Sequence, residues 1–302
     1  MTELSSFDSS GIQVAWDATS IKSWQTCPRY YYYKHVGGWQ PKRPSVHLWF
    51  GGLYASALES YHKHRADGMD YEDAVDAILD ETLQASWDKE EGCPIDYDDP
   101  NKNRHTLIRT IIWYLEEFKN DSMATHILPG GKPGIELSFA MPVDNDIIFC
   151  GHMDRIVEYS GELLGQDQKT TKSALSSMYF SQFDLDDQMS MYTFVTNFSY
   201  NIPVKGMAID AAQILVGSSR FGRVVTQRTE EQLNEWYDNT IYTITQAQNM
   251  IEADKFPMNL TACSKYGGCE FRGVCSKSQS VRKNFLVGDF KQEPRWDPIQ
   301  RR

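Results

Sequence analysis

No stretch of the chain approaches the roughly 18 apolar residues that a membrane-spanning helix needs, and the opening residues, MTELSSFDSS, carry neither a basic cluster nor an apolar run. A secretory signal and a membrane partner are therefore not expected, and a cytoplasmic setting is. The chain lacks G-x-x-x-x-G-K-[ST], since the GGKPG stretch has the wrong spacing, so no nucleotide triphosphate is expected as a ligand. It also lacks the G-x-S-x-G of an acyl-transfer nucleophile. No internal repeat or low-complexity linker divides it. Positive charge is scarce: 30 Lys and Arg stand against 41 Asp and Glu, for a net charge of −11. That balance ordinarily argues against nucleic acid, whose phosphates are bound by Lys and Arg, although a local basic groove can coexist with an acidic remainder. Lys42-Arg43, Arg220 and Arg223 with Arg228, and the run Lys277 to Lys283 are the basic stretches, each reading by itself as solvated surface.

What is present fits a globular protein. With 302 residues, 41% hydrophobic and 13% aromatic, the chain can bury a sizeable core as one large domain or as a domain with an appended lobe. Helical spacing marks Ile21 to Lys34, with Pro28 as a candidate break, then Leu48 to Ala66, Tyr71 to Asp88 and Asn103 to Phe118. After the turn at 129–134, three short apolar or alternating segments (IELSFAMPV, DIIFCGHMDRIVEY, ELLGQDQKTT) predict an antiparallel meander, with Asn145 and Ser160-Gly161 as turns. Asp184 to Phe198 returns to helical spacing. Strands follow at Gly206 to Val216 and Arg223 to Gln227, and a last long helix runs from Thr229 to about Ala253.

The chemistry concentrates where the third strand of the meander ends. Residues two apart on a strand share a face, so Asp167 and Lys169 project together. Asp154 lies on the preceding strand of the same hairpin and is expected across from them. Elsewhere an acid and a lysine two apart form a surface ion pair of little value. Here Glu136 heads the strand before, and Gln188 and Tyr192 lie on the helix after. Carboxylates held together repel, and a divalent cation is the usual remedy. Hard oxygen donors favour Mg²⁺ or Mn²⁺, which polarise a phosphoryl oxygen and activate water.

The ordered series Glu136, Gly151-x-x-Asp154-Arg155, Asp167-x-Lys169-Thr170 and Gln188-x-x-x-Tyr192 resembles the PD-(D/E)XK nuclease superfamily, in particular its RecB-like branch. That branch carries an early C-P-x-x-Y element, here Cys27-Pro28-Arg29-Tyr30, and a helix motif G-x-x-H-x-x-x-L-E, matched by Gly51 to Glu59 with Tyr54 at the histidine position. The resemblance runs from about residue 20 to residue 276. It implies a mixed central β-sheet flanked by helices, with a helical lobe closed by a metal cluster. It further implies a Mg²⁺- or Mn²⁺-dependent deoxyribonuclease, an exonuclease on single-stranded DNA or duplex ends, working in recombination, repair or phage DNA processing. Recombination or replication proteins are the partners implied, in a bacterial cell or a phage-infected host. Asp154, Asp167 and the carbonyl of Gln168 are the implied metal ligands, and Glu59, one turn past Tyr54, could approach the metal through water. Lys169 would serve the attacking water, with Glu136, Gln188 and Tyr192 in support. Tyr54 departs from the pattern: a neutral phenol is a poor ligand, so weaker metal binding, or a non-catalytic DNA-binding or assembly subunit, is the alternative. His62 and His64 read as solvated helix residues. The expected organisation is one nuclease domain over 1–302, with helices at 18–125, a catalytic sheet at 134–228, a C-terminal helix and cysteines at 229–276, and a polar tail at 277–302.

Of six cysteines, Cys150 reads as a packed core thiol and Cys93 as a bystander. Cys263, Cys269 and Cys275 are spaced C-x5-C-x5-C, with Cys27 far upstream. By themselves, four thiolates suit a tetrahedral zinc or a 4Fe-4S cluster, and reduced free thiols are a third reading. The resemblance implies the iron-sulfur cluster, since relatives in the RecB-like branch pair one early cysteine with three late ones. Its role would be structural, closing a very long loop. Tyr30 to Tyr33 read as packing around that lobe, with Tyr31 or Tyr33 as candidate contacts to a DNA strand.

Overall fold

The computed structural model describes residues 5–43, 45–95, 97–144, 146–264 and 268–300. The expected turn residue Asn145 and part of the first cysteine interval, 265–267, lie outside them. Seven strands make the central sheet: β1 (Ala15–Trp16), β2 (Ala124–Thr125), β3 (Ile135–Pro142), β4 (Ile148–Tyr159), β5 (Glu162–Thr171), β6 (Val204–Ile214) and β7 (Ser219–Gln227). Their order is β1-β4-β5-β6-β7, with β2 and β3 also pairing β4. The hairpins β4-β5 and β6-β7 are antiparallel, whereas β1-β4 and β5-β6 are parallel, so the sheet is mixed. Six longer helices accompany it: α1 (Ala18–Thr26), α2 (Val46–Ala66), α3 (Tyr71–Ala85), α4 (Arg104–Glu117), α5 (Asp187–Phe198) and α6 (Glu230–Glu252). Among the described residues no helix is long and apolar enough to cross a membrane.

The first predicted helix is two. Cys27 is extended (φ −168°, ψ 118°), ending α1, and Pro28 opens a new turn over Pro28–Tyr31. Proline has no N–H to give an uninterrupted helix but suits a first helical position.

The chain falls into two compact units. One comprises 1–44, 138–151 and 230–302. In it Tyr33, Phe271, Val274, Leu286 and Phe290 form a small core, and Tyr31 is fully buried, so these tyrosines pack as expected. Residues 277–302, read as a polar tail, carry a helix over Arg282–Asp289 and a strand, Phe290–Gln292, that pairs antiparallel with Trp39–Pro41. The other unit comprises 45–137 and 152–229. Its core joins Phe50, Tyr54 and Leu58 of α2, Ile78 of α3, Leu107, Ile111 and Tyr114 of α4, and Ala212 and Ile214 of β6. Helices α2 to α4 thus cover one face of this sheet, the face to which the even-numbered side chains of β6 point.

Candidate active site

Strands β4 and β5 pair with Arg155 opposite Gln166. One residue further, Asp154 and Asp167 leave the ladder on the opposite face, because successive side chains alternate. The Gln168 N–H donates to Asp154 Oδ2 at 2.8 Å, fixing one carboxylate against the backbone of the other's strand. Lys169 Nζ lies 2.5 Å from Asp167 Oδ2. The same ammonium donates to Gln188 Oε1 at 3.1 Å, Gln188 Nε2 donates to the Tyr192 hydroxyl at 3.0 Å, and that hydroxyl donates to the His152 carbonyl at 2.6 Å. One hydrogen-bonded path therefore runs from β5 through α5 to β4. Gln188 and Tyr192 can share it because residues four apart lie on one helix face.

The electrostatics are those of crowded acids in a dry setting. Burial, then the charge of Asp167, with a further push from Glu136, raises the Asp154 carboxyl to about 7. Burial also raises Asp167, against the opposing pull of Lys169. Burial works against the charge of Lys169, but Asp167, Asp154 and Asp186 together hold its proton on more tightly than usual. Glu136 has left-handed backbone (φ 52°), a conformation that costs a non-glycine residue about 1–3 kcal/mol and recurs at functional sites.

Two contributors escaped the sequence reading. Asp186 caps α5, accepting from the Gln188 and Met189 N–H groups, and its charge reaches both Asp167 and Lys169. Its position just before an apolar-periodic helix is an N-cap signature and could have been found. Tyr179 also faces the site, since Lys169 and Asp167 both act on its hydroxyl. Nothing local in the sequence marks it.

Tyr54 and Glu59 of the helix motif both lie on α2. Tyr54 is buried in the helical core with its ring edge-on to Tyr114, 6.0 Å between centroids. Glu59 forms an i,i+4 ion pair with Lys63. His62, expected to be solvated, turns inward: its Nδ1 accepts from Arg155 at 2.7 Å, and burial and the charges of Arg155 and Arg223 push its pKa well down, so the ring is neutral.

Arg155 belongs to a second buried network on the reverse face. Arg155 Nε donates to Gln166 Oε1 at 2.8 Å, and Gln166 Nε2 donates to Asp210 Oδ2 at 2.9 Å. Asp210 Oδ2 also accepts from Tyr114 at 2.5 Å and from Arg223 Nε at 2.9 Å, while Arg223 NH1 reaches Asp121 at 2.7 Å. The network crosses β4, β5, β6 and β7. Its members Arg155 and Gln166 immediately adjoin Asp154 and Asp167, so it fixes the strand register that presents the two acids.

A divalent cation fits the donor set. Asp154 and Asp167 offer hard oxygens whose charged forms burial disfavours. Among the described residues, however, no group of three or more His, Cys, Asp or Glu stands arranged to hold a metal. That applies equally to the thiols. Cys27, Cys263 and Cys269 line one cavity of about 440 Å³ together with Tyr30 and Asn259. The Asn259 N–H points at Cys27 Sγ, 3.3 Å away, and Cys275 is close enough to Cys269 and Cys27 for their charges to add to the burial that raises its pKa. All six cysteines are free thiols, Cys150 buried and Cys93 exposed.

Such a sheet, with paired acids and a lysine two residues beyond the second, defines a class of phosphodiester-directed site. A model of the PD-(D/E)XK nuclease superfamily matches residues 15–276, and the chain belongs to that superfamily. No curated protein matches the chain. Among solved structures it is similar to a candidate exonuclease from Eubacterium rectale, at 12% identity and a TM-score of 0.47, over 78% of this chain and 82% of that one. It is also similar to SSO0001, at 13% identity and a TM-score of 0.30, over 76% of each chain.

Proposed function

We propose that the chain is a metal-dependent deoxyribonuclease of the RecB-like branch, acting as an exonuclease on single-stranded DNA or duplex ends. The observation that carries this reading is the continuous path Asp167, Lys169, Gln188, Tyr192 and the His152 carbonyl, with Asp154 held on the Gln168 N–H. Asp154, Asp167 and the Gln168 carbonyl would hold Mg²⁺ or Mn²⁺, which when bound polarises a phosphoryl oxygen and lowers the pKa of a bound water. Lys169, kept protonated by its acidic neighbours, orients that water and offsets charge on the phosphorane-like transition state. Gln188 fixes the ammonium, and Tyr192 fixes Gln188. Glu136 supplies further negative charge beside Asp154. The biological setting proposed is recombination, repair or phage DNA processing.

Lys169→Ala is expected to lower kcat by about 10²–10³-fold, the usual cost of losing one preorganised charge at a transition state. Digestion of end-labelled single-stranded DNA with Mn²⁺ measures it. Undiminished activity in the variant removes Lys169 from the mechanism. Inactivity of the wild type with every divalent metal tried supports instead a non-catalytic DNA-binding subunit, the reading favoured by Tyr54 at the histidine position and deep in the core.

We further propose that Cys27, Cys263, Cys269 and Cys275 ligate a structural 4Fe-4S cluster, with zinc as the alternative. The cavity that Cys27, Cys263 and Cys269 share, the nearness of Cys275 to Cys269 and Cys27, and the Asn259 N–H aimed at Cys27 Sγ support it. Protein purified without oxygen is expected to be brown, and Cys269→Ser to be colourless and less resistant to proteolysis. Colourless wild-type protein containing stoichiometric zinc overturns the iron-sulfur assignment.

A further inference from the structure

The row of polar side chains on β5 does not end at Lys169. Side chains alternate along a strand, so Asp167, Lys169 and Thr171 stand on the same face. The row opens to solvent as it proceeds: the Asp167 side chain is 3% exposed and that of Lys169 28%. Thr171, half-buried, closes the strand, and the path from Lys169 through Gln188 to Tyr192 makes no use of it. Tyr179 does. The Thr171 side chain hydrogen-bonds the phenol, and the charges of Lys169 and Asp167 both reach the same hydroxyl. Thr171 Oγ1 accepts from the Ser173 N–H at 3.0 Å, which leaves the threonine proton for the phenol oxygen and the phenol's own proton for a further acceptor. Burial raises the phenol above its ordinary value against Lys169 and Thr171, with Asp167 adding to the rise, so it stays a neutral donor throughout the neutral pH range.

The ring is firmly set. Tyr179 lies on a short helical turn, Ser177–Ser181, whose N-cap Ser176 accepts the Tyr179 N–H at 3.3 Å. Phe180 and Phe183 meet the ring edge-on, with centroids 5.1 and 5.7 Å away. Phe183 is buried, its carbonyl accepts from Arg228 at 2.8 Å, and Arg228 Nε donates to Ser190 of α5 at 3.1 Å. The turn is thereby tied to the helix that carries Gln188 and Tyr192. Its outer surface is open and neutral. Ser177 and Ser181 are exposed, Met178 is 83% exposed, and no charged residue occurs from Ser173 to Gln182. In a chain of net charge −11, such a stretch beside the acids is a side from which a polyanion can approach without repulsion.

We propose that Tyr179 is a further catalytic residue, its hydroxyl donating to a non-bridging oxygen of the phosphate that is cut. The assignment rests on the nuclease reading and adds a substrate contact to it. A phosphate presents two non-bridging oxygens, and a fixed donor on one of them holds the phosphorus in line for the water that Lys169 serves. The same hydrogen bond strengthens as negative charge builds on that oxygen in the transition state. Being neutral, the phenol brings no cation to compete for Asp154 and Asp167. Thr171, which acts only through Tyr179, is a positioning residue.

Tyr179→Phe keeps the ring against Phe180 and Phe183 and removes only the hydroxyl. Its melting temperature is expected to match the wild type, while kcat falls about 10–100-fold, the worth of a hydrogen bond to a charged group, and KM changes little. Strands carrying one phosphorothioate at the position cut, as separate diastereomers, supply a readout that a merely structural role would not move. Sulfur is a weak acceptor, so with Mn²⁺ the wild type should cut one diastereomer about tenfold more slowly than the all-oxygen strand. In Tyr179→Phe that particular slowing should largely vanish, because the donor it depends on is gone. Thr171→Val should lower kcat about fivefold and shrink the same slowing, and decides the matter if Tyr179→Phe does not fold. Wild-type kcat in both variants, or the same slowing of each diastereomer as in the wild type, overturns the role of Tyr179 and leaves the nuclease reading standing. A wild type that cuts DNA with no divalent metal overturns both.

Discussion

Asp154→Asn is expected to abolish cleavage while making the metal-free protein no less stable. Loss of a ligand worth several kcal/mol of transition-state stabilisation corresponds, at about 1.4 kcal/mol per decade, to about 10³-fold in rate. The stability expectation follows from the crowding of the acids. The folded-state pKa of Asp154, about 7, stands above the ordinary carboxylate value of 3.8, chiefly through burial and then through Asp167. Between those values the folded protein binds a proton that the unfolded chain has lost. Stability is therefore fully present below about pH 4 and falls as pH rises to about 7. Asparagine can still accept the Gln168 N–H but carries no charge, so it removes that slope. Thermal melts without metal at about pH 5 and about pH 8 should show the wild type losing stability on the alkaline side and the variant losing less. Added Mg²⁺ or Mn²⁺ should raise the melting temperature of the wild type at the higher pH and leave the variant unmoved. A variant that melts earlier than wild type at the higher pH and still cuts DNA would refute the role given to Asp154.

The gathering of Asp154, Asp167, Lys169, Gln188 and Tyr192 at one place was legible because it is written in short-range periods. Asp167 and Lys169 are two apart on a strand, Gln188 and Tyr192 four apart on a helix, and Asp154 lies one hairpin away. Each spacing fixes a shared face without knowledge of the rest of the fold. The hairpin then brings the acids together, since Asp154 directly precedes Arg155 and Asp167 directly follows Gln166, and those two residues are paired. Tyr54 was legible as a departure but not in its consequence: a helix motif aligned by spacing does not say which side of α2 meets the sheet. Here the phenol joins Tyr114 in the core. The reverse-face network was not legible at all. Asp210 and Tyr114 are 96 residues apart, and Arg223 and Asp121 are 102 apart. No local pattern separates a buried Asp210 or Arg223 from the solvated charges that such residues usually are. The segment 277–302 reads as polar, yet Leu286 and Phe290 bury themselves against Phe271 and Val274 of the same small core.

Asp210→Ala should unfold the protein more readily than any substitution on the face that carries Asp154, Asp167 and Lys169. Asp210 is 1% exposed, and its Oδ2 gathers donors from Tyr114, Gln166 and Arg223. Alanine takes that acceptor from all three. Arg223 keeps Asp121 and the Tyr114 hydroxyl, but Gln166 Nε2 loses its only acceptor in the network while still bound through Oε1 to Arg155. Breaking a buried ion pair by removing one partner costs about 3–5 kcal/mol, far more than the pair itself contributes. The expected result is a fall of that size in the free energy of unfolding, read from urea titration with the slope unchanged. Paired replacement with apolar residues, Asp210→Leu with Arg223→Met, should recover part of the loss because no charge is then left unpaired. Activity discriminates a register clamp from mere filler. Where Asp210→Ala remains folded, slippage of Gln166 and Arg155 displaces Asp167 and Asp154, so kcat falls and more metal is needed for half-maximal rate, while KM for DNA changes little. A stable variant with wild-type kcat and metal requirement would show that the reverse face holds the strands but does not aim the acids.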